Sequence, residues 1–139
     1  MHRSGTSLVA NVLHHAGINM GDDLLPADVG NRHGYYEDAL IHDVHVEMMR
    51  SAGVADAFTV TPDDLPLTVE DALRERARGV IASRSAQDRW GWKEPRSALF
   101  CDFWNDLVGD LRFVFCLRDP TLVLDSLIRR ASQSSINDQ

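Results

Sequence analysis

Residues 111–117 read LRFVFCL. Apart from Arg112 the run is apolar and rich in aromatic and β-branched residues, and it is too short for a helix. It fits a strand covered on both faces, as in a parallel sheet flanked by helices. Asp119 and Pro120 follow at once, a cap and a first-position proline for a new helix. Further out, helical periods surround this run. Residues 5–16 place Leu8, Val9, Val12, Leu13 and Ala16 on one face, with Gly17 as a stop. Residues 39–52 turn Ile41, Val44 and Met48 inward and close on Gly53. Thr68 with Asp71 resembles a capping box that opens a stripe of Val69, Leu73, Ala77, Val80 and Ile81. The opposite face, with Glu75, Arg76, Arg78 and Arg84, is expected to be solvated surface. Residues 97–107 bring Leu99, Phe100, Phe103, Trp104 and Leu107 into register, and 90–93 form a short strand candidate. Segments 18–38 and 54–67 are irregular. Strands alternating with helices imply an α/β layered domain with a parallel central sheet.

The 139 residues make one domain, 1–139, whose polar tail over 132–139 is expected to fray. Apolar residues are 44% and charged residues 25%, the balance of a globular protein. No apolar run reaches the roughly 18–20 residues of a membrane span, and the broken stretch at 8–13 does not make a signal peptide. Cys101 and Cys116 have no metal-ligand spacing and read as reduced packing cysteines, which makes a cytoplasmic location the default. The formal net charge of −7 excludes a general nucleic-acid or membrane-surface binder. An anionic ligand therefore requires a local positive site. Thirteen arginines accompany a single lysine, Lys93, which marks that position for a compact ammonium.

HRSGTS, residues 2–7, leads directly into the first helical segment. Backbone N–H groups at a helix start cradle anions, and Gly5 allows the backbone to approach closely. Thr6 and Ser7 add hydroxyls, and Arg3 adds a bidentate fork. Arg118 stands at the carboxyl end of the apolar run, with Ser126 eight residues on and two turns into the next helix. Read singly, each feature has an ordinary alternative: a helix cap for SGTS, a surface arginine, and a serine bonded to its own helix.

Together they resemble the sulfotransferase family. HRSGTS is similar to its 5′-phosphosulfate loop, P-[KR]-S-G-[TS]-[TS], and RDPTLVLDS at 118–126 is similar to its 3′-phosphate motif. NRHGYYED at 31–38 and WGWKEPR at 90–96 resemble segments of the bacterial branch. The resemblance implies a three-layer, P-loop-like fold and binding of 3′-phosphoadenosine 5′-phosphosulfate (PAPS). It assigns Arg3, Ser4, Gly5, Thr6 and Ser7 to the 5′ end and Arg118 and Ser126 to the 3′-phosphate. The family's strand before the loop and its downstream glycine-rich segment are missing. The chain is therefore expected to be a fragment, lacking the first strand and the C-terminal part.

Sulfuryl transfer requires a base, positive charge on the transferring group and an anchored leaving group. Glu37, after Gly34-Tyr35-Tyr36, is the candidate base; its ordinary alternative is a helix-start acid. Lys93 and Arg3 would stabilise charge on the sulfuryl group and leaving oxygen. Arg96 would bind an acidic acceptor or the sulfonate, or else pair with Glu94 or Asp102. Histidines are rival bases, but His42 and His45 lack a third metal ligand, and no metal is expected. The acceptor would be a hydroxyl or amine on a small molecule, carbohydrate or lipid. Two other readings compete: a kinase-like P-loop phosphotransferase, although G-x-x-x-x-G-K-[ST] is absent, and a non-catalytic remnant.

Overall fold

The structure, a computed structural model, describes residues 3–27, 31 and 34–137. Five α-helices carry these residues: α1 Thr6–His15, α2 Ala39–Ser51, α3 Asp71–Arg84, α4 Cys101–Val108 and α5 Pro120–Asn137. Short 3₁₀ turns stand at Ala57–Thr59, Pro62–Asp64 and Pro95–Leu99. The expected α/β fold with a parallel central sheet is not formed. Among the described residues no strand of a sheet forms; isolated bridges join Asn19 with Trp90, Leu24 with Asp38 and Glu37 with Lys93. None of them involves 111–117. That run forms no strand, and most of its side chains are exposed, Val114 at 67% and Leu117 at 93%, while Leu111 and Cys116 are partly buried. A strand exists through its neighbours, and local propensity does not supply them. The 90–93 candidate likewise contributes two single bridges and no strand.

The core lies among α2, α3 and α4. Ile41, Val44, Met48 and Met49 of α2 meet Ala77 and Val80 of α3 and Phe103 and Trp104 of α4, with Phe100 beside them. These positions follow the helical period, so each helix presents one apolar stripe inward. Arg74 of α3 lies over the Phe103 ring, 4.9 Å from its centroid. Trp92 packs against Trp104 at 5.0 Å between centroids, tying residues 90–93 to this core.

Helix starts are set by side chains where the sequence has one to offer. Asp38 caps α2 by accepting from the Leu40 and Ile41 amides at 2.9 and 3.2 Å. Asp119 accepts from the Thr121 amide at 2.8 Å and so caps α5 as expected. The Thr68 capping box does not form: α3 starts after Glu70 without a side-chain cap. Two faces also differ from expectation. In α1, Ala10 is the buried residue while Leu8 and Val12 are exposed, so the inward stripe is rotated. In α3, Arg84 is buried at 6%, not solvated. It stands seven residues after Ala77 and four after Val80, which places it in the stripe itself. The polar tail from Ser132 is helical as far as Asn137, and residues 138–139 lie outside the described residues.

Candidate anion-binding and transfer site

Three of the residues singled out in the two motifs meet. Arg3 Nε donates to Ser126 Oγ at 2.9 Å across 123 positions of sequence. Arg118 Nη1 donates to the Arg3 carbonyl at 2.9 Å across 115 positions. Arg3 and Gly5 both have positive φ, 62° and 92°. Left-handed residues alternating with others turn successive N–H groups to one side, the geometry of an anion nest. Gly5 is the cap position of α1, and as a glycine it has no side chain to cap the helix. The start of α1 therefore offers its dipole and first-turn amides beside two guanidinium groups. Thr6 is the first residue of α1, and Ser7 Oγ accepts from Asn31 Nδ2 at 3.3 Å. Ser4 lies in the turn between Arg3 and Gly5.

The other pair is Glu37 and Lys93. Their backbones bridge in parallel and their side chains form an ion pair with both groups about one-tenth exposed. The backbone of Glu37 is fixed on its other side as well: its carbonyl accepts from Leu25 N at 2.8 Å, and Ala39 N donates to Asp23 O at 2.9 Å. Tyr36, immediately before it, has φ 54° and its hydroxyl accepts from Asn11 of α1. Holding a tyrosine in the left-handed region costs about 1–3 kcal/mol, so the surrounding contacts define this corner. Asn11 and Asn31 thus tie α1, which begins at the anion site, to the segment that carries Glu37.

No family model, curated protein or solved structure matches this chain. Its function is therefore read from its own residues.

Arg96 directs Nη1 to Glu94 Oε1 at 2.5 Å, the internal pairing foreseen as its alternative. Sequence reading missed the rest of that network. Glu94 has no exposed side-chain surface, and its Oε2 lies 2.8 Å from His45 Nδ1, off the line of a well-directed hydrogen bond. Trp104 Nε1 donates to His45 Nε2 at 2.8 Å. An indole N–H only donates, so Nε2 accepts and the ring proton resides on Nδ1, facing Glu94. Burial pushes the Glu94 carboxyl up, but the contact with His45 and the guanidinium and backbone N–H of Arg96 outweigh it and hold it below the usual carboxylate range. His45 is thus a core residue wedged between α4 and Glu94. His42 is separate, 3.2 Å from Asp43. Among the described residues no group of three or more His, Cys, Asp or Glu is placed to hold a metal ion.

Also missed was Arg84. It donates to Asp38 Oδ2 at 2.5 Å and to Asp22 Oδ2 at 2.6 Å. The periodicity of α3 carried that signal, but a charged residue in an apolar stripe was read as surface. Cys101 and Cys116 are free thiols, both partly buried; burial first and then Asp102 push the Cys101 thiol up. No helix among the described residues is long and apolar enough to cross a membrane.

Proposed function

We propose that the chain binds the 3′,5′-bisphosphorylated adenosine of PAPS and serves sulfuryl transfer to a hydroxyl or amine acceptor. One observation carries the reading: the bond from Arg3 to Ser126, closed by Arg118 on the Arg3 carbonyl. The 5′ and 3′ substituents of such a nucleotide hang from one ribose, so their receptors must be neighbours. Two motifs separated by more than a hundred residues meet that requirement. The amides opening α1, with Arg3, Ser4, Gly5, Thr6 and Ser7, take the 5′ end. Arg118 and Ser126 take the 3′-phosphate, and Ser126 releases Arg3 to the ligand as it does so.

In the transfer, the acceptor oxygen or nitrogen forms a bond to sulfur as the bond from sulfur to the bridging 5′-phosphate oxygen breaks. The acceptor proton passes to Glu37, and the nucleotide leaves as adenosine 3′,5′-bisphosphate. Lys93 and Arg3 meet the negative charge that grows on the bridging oxygen. Before the donor binds, Glu37 neutralises Lys93; the sulfuryl oxygens compete for that ammonium and leave the carboxylate available as base. Arg96 serves acidic acceptors within this reading only if it leaves Glu94. The acceptor class is a small molecule, carbohydrate or lipid. The setting is cytoplasmic, a reading supported by the two unbridged cysteines.

Thermal shifts with adenosine 3′,5′-bisphosphate and with ATP–Mg²⁺ test this reading. The bisphosphate is expected to raise the melting temperature in proportion to the logarithm of its concentration. Stabilisation by ATP–Mg²⁺ alone would replace the sulfotransferase reading with a phosphotransferase one.

A further inference from the structure

We infer that Arg84 is a positioning residue for the Glu37–Lys93 pair, acting through Asp38. The inference rests on the proposed role of Glu37 as base, and it adds a residue that neither phosphate motif contains.

Asp38 and Glu37 are neighbours on extended backbone, where successive side chains point to opposite faces. Glu37 reaches Lys93 on one side. Asp38, 1% exposed, turns to the other and divides its oxygens: Oδ1 caps α2 and Oδ2 receives Arg84 at 2.5 Å. Arg84 is 6% exposed and takes Asp22 as its second carboxylate. A buried guanidinium requires such pairing, and removing either partner leaves an uncompensated charge. The space for this arrangement is provided by Gly21, whose φ is 124°; a Cβ there would come within 2.9 Å of Asp38 Cγ. Backbone bonds from 25 and 23 hold the residues on either side of Asp38, Glu37 and Ala39. The orientation of Glu37 is therefore set from behind, by an ion pair anchored in the last turn of α3 and by the segment 21–25.

Lys93 is the sole lysine of the chain, so after labelling with an amine-reactive N-hydroxysuccinimide ester, peptide mass analysis separates its signal from that of the terminal α-amine and reads this site. In the wild type the pair with Glu37 slows labelling. Glu37→Gln calibrates the fully released rate. Arg84→Met is expected to raise the Lys93 rate about tenfold towards that limit while helix content is unchanged, because loss of a positioning partner loosens a partly buried ion pair of ordinary strength. Asp22→Asn, which removes one carboxylate without burying a charge, is expected to raise it by a smaller factor and serves if Arg84→Met does not fold. Rates equal to wild type in Asp22→Asn and in a folded Arg84→Met, with only a lower melting temperature, would overturn the inference and leave Arg84 purely structural. Adenosine 3′,5′-bisphosphate affinity, measured in parallel, is expected to stay within a factor of about three in these variants, since neither Arg84 nor Asp22 touches the anion site. Absence of bisphosphate binding in the wild type would sink the proposed function, whatever the labelling rates show.

Discussion

Arg118 stands on the exposed side of the anion site, with one guanidinium nitrogen bonded to the Arg3 carbonyl. If it holds the 3′-phosphate, Arg118→Ala is expected to weaken adenosine 3′,5′-bisphosphate binding by roughly 2–3 kcal/mol, the worth of a charge-assisted bond. Calorimetric titration at fixed ionic strength measures this, and an unchanged affinity removes Arg118 from the site. The three residues of this contact were singled out in the sequence because the proposed phosphate recognition constrains residue types and spacing locally. Arg84 was not legible in the same way. Its period placed it in the buried stripe of α3, but its two partners, Asp22 and Asp38, lie 62 and 46 positions away and no local pattern announces them. Burial of His45 was hidden for a similar reason: one turn after Ile41 it continues the inward face of α2, yet its partners Glu94 and Trp104 come from elsewhere.

At the scale of elements, the helices that the sequence specified best are those whose stripe and cap agree. In α2 the Asp38 cap and the Ile41, Val44 and Met48 stripe point to the same boundaries. Asp38→Ala removes that cap, worth about 1 kcal/mol, and leaves the buried Arg84 with Asp22 alone, for a combined loss of up to about 3–5 kcal/mol. Urea midpoints would show it; a loss below about 1 kcal/mol would mean that Arg84 finds other solvation and that the ion pair contributes little. Residues 111–117 failed as a strand for the converse reason. Their composition satisfies every local criterion, but a strand needs another in register beside it, and the segments expected to supply one form single bridges instead. The five helices were therefore readable from period, with a side-chain cap to mark the start of α2 and α5 alone among them. The 97–107 helix was split into the Pro95–Leu99 turn and α4, and the sheet was not readable from propensity.

For the molecule as a whole, the core and the proposed anion site occupy different parts of the structure, and they should respond to different agents. Glu94 belongs to the core. Its carboxyl is held below its ordinary value, so the stabilisation it gives is present above the unfolded-state value and is lost as pH falls through the folded one. Wild-type stability is expected to decline in acid more steeply than that of Glu94→Gln, and parallel pH profiles would show that this carboxylate is not a determinant. The proposed anion site depends instead on α1 and α5. Among the described residues α1 buries only Ala10 and α5 buries none, so both helices open at low cost by comparison with α2–α4. The bond between Arg3 and Ser126 joins them, and a nucleotide held at the start of α1 and by Ser126 of α5 closes both at once. At about a hundred times its dissociation constant, adenosine 3′,5′-bisphosphate adds about 2.7 kcal/mol to any opening that releases it. Amides of α1 and α5 that exchange through such openings should then slow about a hundredfold, while those of α2–α4 that exchange through openings which retain the ligand keep their rates. Hydrogen-exchange mass spectrometry resolves the two groups. Protection confined to α2–α4 would place the ligand elsewhere, because a ligand on the amides that open α1 and on Ser126 of α5 does not leave those two helices free to open.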